Sequence, residues 1–92
     1  MNELPISSFQ RAILLTHGTK ARLTMRVHVV EEFEAQPVWE GEVLVFALDG
    51  HPTADICYAW EVNGKVTAVL HEPPVDSPQA AVRAAIVTDS RE

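Results

Sequence analysis

The sequence predicts an α+β domain, a four-stranded antiparallel meander sheet with a C-terminal helix packed on one face and an N-terminal segment that reads as helix or strand. Three observations carry this. Apolar and polar residues alternate from Ala21 to Glu34, Asn63-Gly64 separates two apolar runs, and Ser77-Pro78 opens an alanine-rich stretch. Period two marks a half-buried strand, Asn-Gly is the strongest short hairpin signal, and Ser followed by Pro marks a helix start.

Residues 8–16 come first, and they admit two readings. Ser8 suits a helix cap with Gly18 as the stop, whereas Ile13-Leu14-Leu15-Thr16 suits a strand turning at His17-Gly18; the helix is preferred. The strand at 21–34 follows, with Ala21, Leu23, Met25, Val27, Val29 and Phe33 on one face and Arg22, Thr24, Arg26, His28, Glu32 and Glu34 on the other. Pro37 cannot donate to a ladder, so a turn is placed at Ala35-Gln36-Pro37. The run at 40–48 is apolar at both parities in its centre, as expected of an internal strand, and Asp49-Gly50-His51-Pro52 is turn chemistry.

Strands at 55–62 and 65–71 then form a two-residue hairpin in which paired residue numbers sum to 127. That register puts Ile56, Tyr58, Trp60 and Val62 with Thr67, Val69 and His71 on one face, and Cys57, Ala59 and Glu61 with Val66, Ala68 and Leu70 on the other. The helix at 78–88 is capped by Ser77, carries an Ala81, Val82, Ala85, Ile86 stripe with Arg83 outside it, and is expected on the small-residue face over Cys57. Residues 1–5 and 89–92 are expected to fray.

At 92 residues the chain builds one domain, and 47 % hydrophobic with 22 % charged residues is an ordinary globular mixture. No apolar run reaches the ~20 residues of a membrane span, and the start has no basic-then-apolar leader, so a soluble cytoplasmic protein is expected. The single Cys57 excludes an internal disulfide and a zinc ribbon. The net charge of −6 is unevenly spread: residues 1–30 carry +3, residues 31–62 carry −8 with no Lys or Arg, and the remainder carries −1. An acidic block of this size repels a phosphate backbone, which argues against nucleic acid as a partner.

The chemistry-bearing residues do not assemble into a catalytic motif. Gly18, Gly41, Gly50 and Gly64 are isolated, and His17, His28, His51 and His71 lack the close spacing of metal-ligand pairs. Cys57 and His71 would make a thiolate–imidazole pair, but the 127 register points them to opposite faces and leaves Cys57 a buried thiol. Glu31, Glu32, Glu34, Glu40 and Glu42 match no calcium-loop spacing and are read as a solvated surface. No catalytic residue, cofactor or metal is expected.

The stretch from Cys57 through Asn63-Gly64 to the helix at 78–88 resembles the second half of a double-stranded-RNA-binding domain over about a third of the chain. Its helix start, Ser77-Pro78-Gln79-Ala80-Ala81-Val82, departs from that family in having none of the lysines that meet phosphate.

Two functions are therefore weighed. The first is a non-enzymatic protein-interaction module that docks on a partner, or on itself as a homodimer, through the aromatic face Tyr58, Trp60, Val69 and His71. The alternative is a face carrying Arg22, Arg26 and His28 beside Tyr58 or Trp60 that takes a small anionic ligand or nucleic acid.

Overall fold

The computed structural model describes residues 4–90. Helix α1 (Ile6–His17) is followed by strands β1 (Lys20–Phe33), β2 (Gln36–Asp49), β3 (Ile56–Val62) and β4 (Lys65–Leu70), and by helix α2 (Pro78–Ser90). The strands form one antiparallel sheet in the order β1-β2-β3-β4, the expected meander. The ambiguous N-terminal segment is a helix. Its start lies before Ser8, however: Pro5 occupies the cap position without a side-chain cap, and Gly18, at φ 71°, stops the helix with its N–H on the Leu14 carbonyl at 2.9 Å. Of the ends expected to fray, residues 1–3 and 91–92 lie outside the described residues, while Leu4 packs against the core and α2 continues to Ser90.

The β3–β4 hairpin keeps the 127 register throughout, from Val62↔Lys65 to Cys57↔Leu70. Its turn works because Asn63 and Gly64 sit at φ 52° and 83°, the left-handed values a type I′ turn demands. The β1–β2 turn is Glu34-Ala35, at φ 54° and 65°, rather than the Ala35-Gln36-Pro37 expected. Pro37 is tolerated inside β2 because a bulge at Val38 shifts the register there, between Glu31↔Trp39 and Glu32↔Pro37.

Each helix covers one face of the sheet. Phe9 and Ile13 of α1 pack on Leu44, Phe46, Cys57 and Ala59, with Val66, Ala68 and Leu70 around them. Ala81 and Val82 of α2 pack on Val29, Val43, Val45, Tyr58 and Trp60, with Trp39 and Val69 around them. This reverses the expected placement of the C-terminal helix. Packing density explains the reversal: small Cys57, Ala59 and Ala68 leave a hollow that Phe9 and Ile13 fill, whereas the bulky Tyr58 and Trp60 leave room only for a helix faced with alanine and valine. Ser77 caps α2 as expected, its Oγ accepting from the Ala80 N–H at 3.1 Å.

A second bulge, at Thr24 between Leu23↔Phe46 and Met25↔Val45, flips the parity of β1 part-way along. Ala21 and Leu23 therefore face α1, while Val27 and Val29 face α2. Continuous alternation from residue 21 to 29 does not hold on one face, and the side chain of Phe33 lies outside what is described.

Candidate protein-binding groove

The structure gathers Tyr58, Trp60, Val69 and His71 on one side of the sheet, but that side is internal. Tyr58 is 4 % exposed and Trp60 3 %, both beneath α2, so the aromatic face expected to meet a partner is core. The cause is again the reversal of helix faces. Within it the Tyr58 hydroxyl and His71 Nδ1 share a hydrogen bond at 2.5 Å, and burial, aided by the charge of Asp76, raises the phenol above its ordinary pKa. This bond satisfies a buried hydroxyl. Nearby, His51 Nδ1 accepts the backbone N–H groups of Thr53 at 3.2 Å and Ala54 at 3.0 Å and so fastens the β2–β3 loop.

The basic residues expected to share a ligand face are split by the Thr24 bulge. Arg22 pairs in register with Ala47 on the α2 side, whereas Arg26 and His28 lie opposite Leu44 and Glu42 on the α1 side. Arg26 and His28 are also away from Tyr58 and Trp60, which face α2. Both carry carboxylate partners: Arg26 Nη1 donates to Glu42 Oε1 at 3.2 Å, and His28 Nε2 meets Glu40 Oε2 at 2.8 Å. A stacked, doubly basic site is not built from these residues.

Cys57 is fully buried, as the register implies, but under α1 rather than α2. Desolvation pushes its thiol up to about 12, against a small opposing effect of a backbone hydrogen bond at Val69. It lies on the side away from the Tyr58–His71 pair. Among the described residues no group of three or more His, Cys, Asp or Glu side chains is placed to hold a metal ion.

One carboxylate of the acidic block is not solvated. Glu31 points to the α2 side, is 7 % exposed, and is held by Arg83 Nε at 3.0 Å and Gln79 Nε2 at 2.7 Å. Those hydrogen bonds, Arg83 first, keep its pKa below the usual carboxylate value against the opposing effect of burial. The sequence held a signal for this, since Glu31 continues the inward parity of Val27 and Val29 and a buried carboxylate requires a partner.

The open feature is a groove where the sheet divides. β2 stays with β1 as far as Gln36, but its pairing with β3 covers only Leu44–Ala47 and ends at Leu44↔Ala59. Beyond that point a groove of about 270 Å³ is lined by Leu4, Phe9 and Leu44 and by Glu40, Glu42 and Glu61, with Arg26 beside Glu42. Trp39 and Gly41, from the α2 side of β2, line it as well. The lining thus takes residues from both faces of β2 and reaches Glu61 of β3. Gly41 makes room for the Trp39 indole, whose Cζ2 would lie 2.8 Å from an added Cβ, and that indole meets Trp60 edge to face with centroids 6.1 Å apart. The other groove of note, lined by Lys20–Arg22 and Ala47–Asp49, lies at the open end of the β1–β2 hairpin, opposite its turn.

No protein-family model, curated protein or solved structure matches this chain. Among the described residues no helix is long and apolar enough to cross a membrane.

Proposed function

We propose that this chain is a non-enzymatic, cytoplasmic protein-interaction module that binds a basic segment of a partner protein in the groove between β2 and β3. The observation that carries this reading is the groove's composition. Leu4, with the small exposed parts of Phe9 and Leu44, supplies apolar contact, and Glu40, Glu42 and Glu61 outweigh Arg26 on its walls. Apolar contact surrounded by one sign of charge favours protein segments of the opposite sign, both in encounter rate and in discrimination. The charge distribution supports the same sense, because these three residues belong to the 31–62 block of net charge −8. The aromatic face, once internal, no longer supports association, and the divided Arg22, Arg26 and His28 no longer support an anionic ligand.

The test is a titration of the full chain with a fluorescently labelled lysine-rich peptide and with its glutamate counterpart, by anisotropy at low and high salt. The lysine peptide should bind saturably, weaken with salt, and weaken further against Glu40→Gln/Glu61→Gln, which removes two charges and keeps the side-chain acceptors. Equal binding of both peptides, or no effect of the double substitution, would overturn the groove as the site.

A further inference from the structure

Resting on the groove reading, we infer that the partner segment binds as an added β-strand, pairing its main chain with the β2 edge at Trp39–Glu42, and that it alternates basic with apolar residues. The sheet register gives these β2 residues a partner in β1 on one side and none in β3 on the other. A strand edge without a neighbour offers a row of main-chain N–H and C=O groups at fixed spacing, the template on which extended peptides dock. The groove leaves space beside that edge, with Glu61 of β3 on the opposite wall.

Side-chain alternation then sets the pattern of the guest. A strand laid beside β2 sends alternate side chains to the α1 side, where Glu40 and Glu42 point and Phe9 and Leu44 lie. Lysine or arginine fits there, its aliphatic stem on the apolar surface and its charge at the carboxylates. The remaining side chains turn to the α2 side of the opening, where the strand neighbours are Trp39 and Val62. Val62, 39 % exposed, is an apolar residue on that side, so apolar guest residues have a contact to gain there.

Charge also decides between a foreign strand and a second copy of this edge. Antiparallel pairing of two β2 edges about Gly41 would set Glu40 of each copy opposite Glu42 of the other, and like charges directly opposite are destabilising. The occupant is therefore a basic partner segment.

The experiment uses the full chain and the peptide acetyl-Lys-Val-Lys-Thr-Lys-Val-amide, with two derivatives N-methylated at alternate residues, one for each edge of the extended peptide. N-methylation removes donors and keeps side chains and charge. The parent should bind, protect amides within Trp39–Glu42 from hydrogen exchange, and lose at least tenfold in affinity in one methylated derivative and little in the other. Undiminished binding by both derivatives, or equal loss in both, would overturn strand addition while leaving a charged docking groove in place. Failure of the parent peptide to bind at all would overturn both the strand mode and the functional reading beneath it.

Discussion

Replacing Trp60 with alanine tests whether the aromatic face is core or contact surface. Trp60 is 3 % exposed, packs under Ala81 and Val82 of α2, and meets Trp39 edge to face. A buried tryptophan removes roughly 150–250 Å² from water. At about 25 cal/mol per Å², less what alanine retains, truncation should cost about 3–5 kcal/mol including the cavity left behind. Domains of this size have a total stability of about 5–15 kcal/mol, so the variant should be marginal. The thermal midpoint should fall by on the order of 12–40 °C, since each kcal/mol moves it by about 4–8 °C. Urea melts followed by far-ultraviolet circular dichroism avoid reliance on tryptophan emission, and running them at several protein concentrations separates folding from linked association. A variant that keeps the wild-type midpoint at every concentration but loses mass in light scattering would refute this reasoning and return Trp60 to an intermolecular surface.

Cys57, buried beneath Phe9 and Ile13 with its thiol pushed up to about 12, should react with a disulfide reagent at pH 8 far more slowly in the native chain than in denaturant; rapid native labelling would show that α1 does not stay closed on the sheet. Arg83→Met should lower the urea midpoint at neutral pH by depriving Glu31 of charged hydrogen bonds. Because Glu31 titrates below the unfolded carboxylate, its contribution is complete above the unfolded value and is lost as pH falls through the folded one, so the variant should show a shallower acid decline; an unchanged acid limb would contradict this. Ala35→Gly should raise stability by about 0.5–1 kcal/mol, since Ala35 sits at φ 65° where a Cβ is strained, and a thermal midpoint at or below wild type would argue against that turn geometry.

What was legible in the sequence was what local chemistry determines. A two-residue Asn63-Gly64 turn leaves no slack, so every pair of the β3–β4 hairpin follows from it, and with it the separation of Cys57 from His71. Bulges are different: Leu23-Thr24-Met25 alternates in sequence as a regular strand would, yet the chain inserts Thr24 as an extra residue and sends Arg22 and Arg26 to opposite faces. The choice of face for α2 depended on a volume match across the whole core, in which alanine on the helix answers tryptophan on the sheet. The groove was least legible. It exists because β2 outruns its pairing with β3, and beyond that point Trp39 packs on Gly41 and on Trp60, a contact across strands that no local pattern announces.

Covering both faces of a sheet with the chain's own helices leaves edges and ends as the surfaces on which a small domain can act. β2 lies inside the sheet order and would ordinarily have no edge to offer, but its stretch beyond Leu44 regains one. Such an edge invites unspecific pairing unless its flanks are charged. Glu40 and Glu42 supply that protection, and Glu61 adds to it from the opposite wall. On the proposed strand addition, protection and recognition have a common origin. A neutral strand gains main-chain bonds but must crowd three carboxylates, an acidic strand is repelled by them, and a basic strand exchanges the Arg26 and His28 contacts for contacts of its own. On the proposed strand addition, the charge that keeps this edge solvated in the free chain would also select its occupant, and raising salt should narrow the difference between basic and neutral peptides before it abolishes main-chain pairing.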